Sequence, residues 1–141
     1  MPSALFDPGR EGFLAGEIDW DTATIRAALV RAYTFSAAHR FVSDVTTAGG
    51  VLHATVVLGT KTITAGVADA ADSTFTTPAA NATGHVILLY QASAVTGGAD
   101  VAATAQRLIA HIDTYTGLPV TPNGADITVA WPNDANRIFK L

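Results

Sequence analysis

Two alternating apolar runs, residues 108–112 and 127–131, flank a segment punctuated by Gly117, Pro119, Pro122 and the Asn123-Gly124 pair. Proline pre-sets φ in turns and Asn-Gly accommodates positive φ, so the pattern predicts strand, long turn, strand. A third short run, residues 137–141, is apolar to its last residue. Loose termini are usually polar and solvated, so this run predicts a strand tied into a sheet.

The rest of the chain repeats the theme. In residues 24–30, Ile25, Ala27 and Leu29 alternate with Thr24, Arg26 and Ala28, which predicts a strand with one buried face. Residues 51–58, 61–67 and 73–77 read as further strands. Residues 85–92 are apolar on both faces, the mark of a central strand covered on both sides. Residues 69–72 and 78–84 read as a turn and a loop. The small-residue stretch 93–106 predicts an extended hairpin loop, of a kind that is mobile or ordered by a partner.

Two short helices complete the reading. The first begins with Asp7 as N-cap and Pro8 as first helical residue, stops at Gly16, and is pinned to the body by Phe13 and Leu14 together with Leu5 or Phe6. In the second, Ser36 caps a turn or two with Phe41, Val42 and Val45 facing inward. Seven or eight strands spaced by turns predict an antiparallel β-sandwich or flattened barrel. Residues 1–141 are expected to form a single β domain, with residues 1–20 either packing on the body or docking to a partner.

Composition narrows the function. Of 141 residues, 49% are apolar and only 14% charged, against a usual quarter or so charged. The net charge of −4 and the scattered lysines and arginines argue against a nucleic-acid partner, which needs a basic footprint. Without cysteine there are no disulfides, thiolate chemistry or Cys-type zinc sites. The N-terminus lacks a signal-peptide pattern, and the longest apolar run, 86–90, is far short of a membrane span. The expectation is a soluble chain without membrane association.

Nor does catalytic chemistry stand out. His39, His53, His85 and His111 lack metal-ligand spacing, although His85 and His111 fall on adjacent predicted strands. Asp19, Asp21, Asp69, Asp72 and Asp113 invite a paired-acid reading, but Asp in turns and caps bonds backbone far more often. No serine stands in G-x-S-x-G, and Gly49-Gly50 and Gly97-Gly98 lack phosphate-loop spacing. Asn81-Ala82-Thr83 matches a glycosylation sequon only outside the secretory context it needs. Trp20, Trp131, Tyr33, Tyr90 and Tyr115 are too dispersed for a sugar platform and suit core or interface packing. No enzyme activity, metal or cofactor is expected.

The ordered pattern nevertheless resembles a family. It runs from Leu-Phe-Asp-Pro-Gly-Arg-Glu-Gly-Phe-Leu-Ala-Gly-Glu-Ile-Asp-Trp (5–20) through Ile-Arg-Ala-Ala-Leu-Val (25–30) to Tyr-Thr-Phe-Ser-Ala-Ala-His-Arg-Phe-Val-Ser-Asp-Val (33–45). Lys-Thr-Ile-Thr-Ala-Gly-Val-Ala-Asp-Ala-Ala-Asp-Ser-Thr-Phe (61–75), residues 110–131 and the terminal Ile-Phe-Lys-Leu complete it. Over nearly its full length the chain resembles the small virion-associated structural proteins of tailed bacteriophages. The resemblance implies a virion component assembled in the host cytoplasm, with the major capsid protein or another virion protein as partner and self-association in a symmetric assembly. Its first implication is a capsid decoration (cement) protein, with Phe6, Phe13, Leu14 and Trp20 as candidate partner contacts. A neck, collar or tail ring, or fibre attachment, is the alternative, and a receptor- or glycan-binding module a second.

Overall fold

The computed structural model describes residues 4–114 and 117–141; Tyr115 and the first residues of the N-terminal segment lie outside them. Ten strands and two helices follow in the order β1 (Ala4–Leu5), α1 (Asp7–Ala15), β2 (Thr24–Arg31), α2 (Val42–Thr47), β3 (Val51–Val57), β4 (Thr62–Thr64), β5 (Val67–Asp69), β6 (Ser73–Phe75), β7 (Val86–Ser93), β8 (Arg107–Ile112), β9 (Ile127–Val129) and β10 (Phe139–Lys140). All pairings are antiparallel. The main sheet runs β1-β8-β7-β2-β3, and two small sheets run β10-β5-β4 and β6-β9. The architecture is sandwich-like, and among the described residues the strands do not close into a barrel.

The main sheet is apolar on both faces, so both must be covered. On one face Ile25, Ala27, Leu29, Ile87, Leu89 and Ile109 meet the small sheets through Ala68, Phe75, Val129, Ile138 and Phe139. On the other, Ala28, Val30, Leu88, Tyr90 and Leu108 meet Phe6, Val42 and Val45. Strand β7 sits between β8 and β2 and is buried along nearly its whole length, as its two-sided apolar pattern predicts.

The expected strand 61–67 is instead a hairpin. Ala65 and Gly66 both take positive φ (53° and 78°), which turns the chain between β4 and β5. An alanine in the left-handed region is uncommon, so the Ala-Gly pair carried a weak turn signal. With β1, this division accounts for ten strands where seven or eight are expected.

Helix α1 starts one residue earlier than expected: Phe6 is its N-cap, Asp7 its first residue, and Gly16 (φ 73°) ends it. Its buried positions are Pro8, Gly9 and Gly12 rather than a stripe of large side chains. A Cβ on Gly9 would lie 2.7 Å from the Leu108 carbonyl oxygen, so glycine is what lets the helix rest on β8. Leu14 does not pin the helix; it is 90% exposed. Helix α2 is held at its start by Asp44, not Ser36. The Asp44 carboxylate accepts from the Arg40 and Phe41 amides at 2.8 and 2.9 Å, which holds its pKa below the usual carboxylate value.

The 93–106 loop is fastened by its own chain. Val101 N–H donates to the Ala92 carbonyl, Ser43 N–H to that of Ala103, and Arg26 pairs with Asp100 at 3.1 Å.

Candidate interaction site

Three neighbouring strands place Phe139, Ala68 and Ile63 in one cross-strand row on the inner face of the β10-β5-β4 sheet. Along that row, cover is lost. Phe139 and Ala68 are buried, whereas Ile63, on the edge strand β4, is 54% exposed. The opposing wall is the end of α1 and the segment after it: Phe13, Gly16, Ile18, Asp19 and Trp20. Between wall and row lies a cleft of about 270 Å³, which Leu141 also lines. It is the open mouth of the sandwich.

The wall is rigidly placed. Gly16 reverses the chain, and the Glu17 and Ile18 amides both donate to the Gly12 carbonyl, at 2.8 and 3.1 Å. Buried Gln91 of β7 then grips the segment with its amide: Nε2 donates to the Glu17 carbonyl and Oε1 accepts from the Asp19 amide, both at 3.0 Å. Trp20 Nε1 donates to the Asp69 carbonyl at 3.1 Å, linking wall to floor. The Trp20 and Phe13 rings lie 5.1 and 5.7 Å from that of Phe139.

Carboxylates mark the rim. Glu17, Asp19 and Asp21 are all exposed, and Asp19 lines the cleft itself. Its carboxylate accepts from the Thr22 hydroxyl at 2.6 Å and the Thr22 amide at 3.2 Å, which lowers its pKa. Glu17 pairs with Arg107. Lys61, half-buried, donates to the Ala23 carbonyl at 2.6 Å; burial lowers its pKa against the opposing pull of Asp21 and Asp19.

The four candidate contacts therefore divide. Phe6 (0% exposed) lies in this chain's own core away from the cleft, and Trp20 (3%) is a core residue that shows only an edge to the cleft it lines. Half-buried Phe13 lines the cleft, and Leu14 points outward. Ile63 and Leu141 complete the exposed apolar rim and were not anticipated. The signal for Ile63 was an apolar residue in a short strand otherwise made of threonine, legible only once 62–64 is known to be an edge.

The ionisable groups considered as chemistry take other places. His85 and His111 lie on opposite faces of the main sheet: His111 faces Tyr33 and Phe35, whereas His85 meets His53 edge to face, with ring centroids 4.8 Å apart. His85 Nδ1–H donates to the Thr83 carbonyl at 2.7 Å, and buried Nε2 has no partner. Burial lowers the pKa of both His85 and His111. Asp69 is a strand residue whose carboxylate lies 3.5 Å from Arg137, and Asp72 accepts from the Trp131 amide at 3.0 Å. Among the described residues no three His, Asp or Glu side chains are grouped to hold a metal, and no helix is long and apolar enough to cross a membrane.

Comparisons with protein-family models, with characterised proteins and with solved structures find no match to this chain.

Proposed function

We propose that this chain is a structural component of a tailed-bacteriophage virion, a decoration protein bound to the outer surface of the major capsid shell. The observation that carries the reading is the apolar cleft at β4: a preformed, rigidly walled surface that the chain's own residues leave partly uncovered. A body that strengthens a shell needs such interfaces rather than a reaction centre, and the resemblance of segments 5–20, 25–30, 33–45, 61–75, 110–131 and 138–141 to virion proteins supplies the setting. Contact at one small mouth is weak alone, but many equivalent contacts on a symmetric lattice strengthen attachment through avidity.

The loops at 78–84 and 93–106 contain no aromatic residue, which disfavours a glycan-binding role because stacked rings are the usual sugar platform. Gold-labelled antibody against the protein, viewed on intact particles by electron microscopy, tests the proposal. Label over the whole head surface is expected. Label confined to the neck or tail would replace decoration with a ring or attachment role.

A further inference from the structure

We infer that the cleft receives an extended segment of the capsid subunit, which adds as a strand along the free edge of β4 and seats one large apolar side chain opposite Ile63, flanked by lysine or arginine. This rests on the decoration reading and names the partner chemistry at the same site.

The edge comes first. β4 ends the β10-β5-β4 sheet, and all three of its residues are exposed. A strand edge offers unpaired backbone donors and acceptors to any extended chain. The row Phe139, Ala68, Ile63 then fixes what the incoming strand must carry. The residue opposite Ile63 points to the same face as Ile63, into the cleft, because cross-strand partners share a face. The cleft's volume of about 270 Å³ and its lining of Phe13, Ile18, Trp20 and Phe139 suit an aromatic or branched aliphatic side chain.

Charge completes the specification. Asp19 stands in the lining with Asp21 two residues on, and Glu17 is already paired to Arg107. Lys61 feels the charge of Asp21 and Asp19, but its ammonium is committed to the Ala23 carbonyl at 2.6 Å and forms no ion pair with either carboxylate among the described residues. The rim thus favours a cationic flank and disfavours an acidic one. A second copy of this chain, with its net charge of −4, is the poorer complement.

The test uses the full-length protein added to heads purified from particles that lack it, read by binding and by amide hydrogen exchange. Thr62, Ile63 and Thr64 amides should gain protection on binding. Ile63→Asp should weaken binding by about tenfold or more, as loss of a central apolar contact does. Binding should weaken as salt is raised, and the Asp19→Asn, Asp21→Asn double variant should flatten that dependence. Ile63 is more than half exposed, so its replacement spares the core, and the variant's unfolding midpoint checks this. Heads bound normally by Ile63→Asp, without protection at β4, would overturn the inference and leave decoration standing. Protection of β4 in concentrated protein without heads would assign the edge to a second copy and overturn the capsid segment as occupant. Failure to bind heads at all would remove the decoration reading and the inference with it.

Discussion

Gly9 and Gly12 lie one turn apart on α1, yet they meet different surroundings. A Cβ at position 9 would sit 2.7 Å from a carbonyl oxygen of β8, which is fixed by the sheet. At position 12 it would sit 2.7 Å from Ile18 Cδ1, the far end of a flexible side chain. Both alanines gain about 1 kcal/mol of helix propensity. Gly9→Ala should nevertheless destabilise by about 1–3 kcal/mol in denaturant unfolding, with Gly12→Ala costing clearly less. The histidines give a second residue-scale outcome. Burial depresses the folded-state pKa of His85 and His111 below the ordinary 6.5; at His85 the hydrogen bond to the Thr83 carbonyl opposes it while His53 and Arg31 add to it, and at His111 Asp113 opposes it. The unfolded chain therefore binds protons at a higher pH than the folded one. Their stabilising contribution is complete above 6.5 and is lost as pH falls towards the lower folded values, by at most about 1.4 kcal/mol per pH unit for each histidine. Asp19 and Asp44, held below their ordinary 3.8, enter only in stronger acid. Urea unfolding between about pH 7.5 and pH 5 should show the decline, and a His85→Gln, His111→Phe variant should flatten it. An unchanged slope would contradict this assignment.

Among the elements, α2 depends on one carboxylate: Asp44→Ala removes the acceptor for two amides and should cost about 1 kcal/mol, read as a lower unfolding midpoint. Leu14→Asp, on an exposed side chain, should change stability by no more than about 0.5 kcal/mol, whereas Phe13→Ala, which strips the wall beside Phe139, should cost about 2 kcal/mol or more. Four of the five main-sheet strands were legible from their apolar patterns, and β7 also as covered on both sides. Strand β1 was not, and β2, expected to bury one face, buries both, because Ala28 and Val30 pack against the α2 side while Ile25, Ala27 and Leu29 face the small sheets. The β4–β5 hairpin was not, since Ala65 is a poor marker of a left-handed turn. Without that turn Ile63 reads as one more core residue, and the cleft disappears from view. Helix α1 was found by Pro8 and Gly16, but its packing was misread. Large apolar residues normally mark a buried helix face, and here glycines form it.

At the scale of the whole molecule, residues 4–20 are body rather than appendage. Phe6 covers one face of the main sheet and Trp20 the other; of the four candidate contacts, Leu14 is exposed and Phe13 and Trp20 line the cleft. The sequence could rank those aromatics as apolar but not assign them to a face, because that depends on Gln91 gripping the Glu17 and Asp19 backbone from 72 or more residues away. What results is a braced β body with an uncovered mouth at β4, suited to occupying many equivalent positions on a shell. The copy number of this protein per purified virion, measured by quantitative mass spectrometry against the major capsid protein, tests that most directly. Decoration predicts one copy, or a simple fraction of one, per capsid subunit. A ratio of only a few copies per hundred subunits, or absence from the particle, would contradict it.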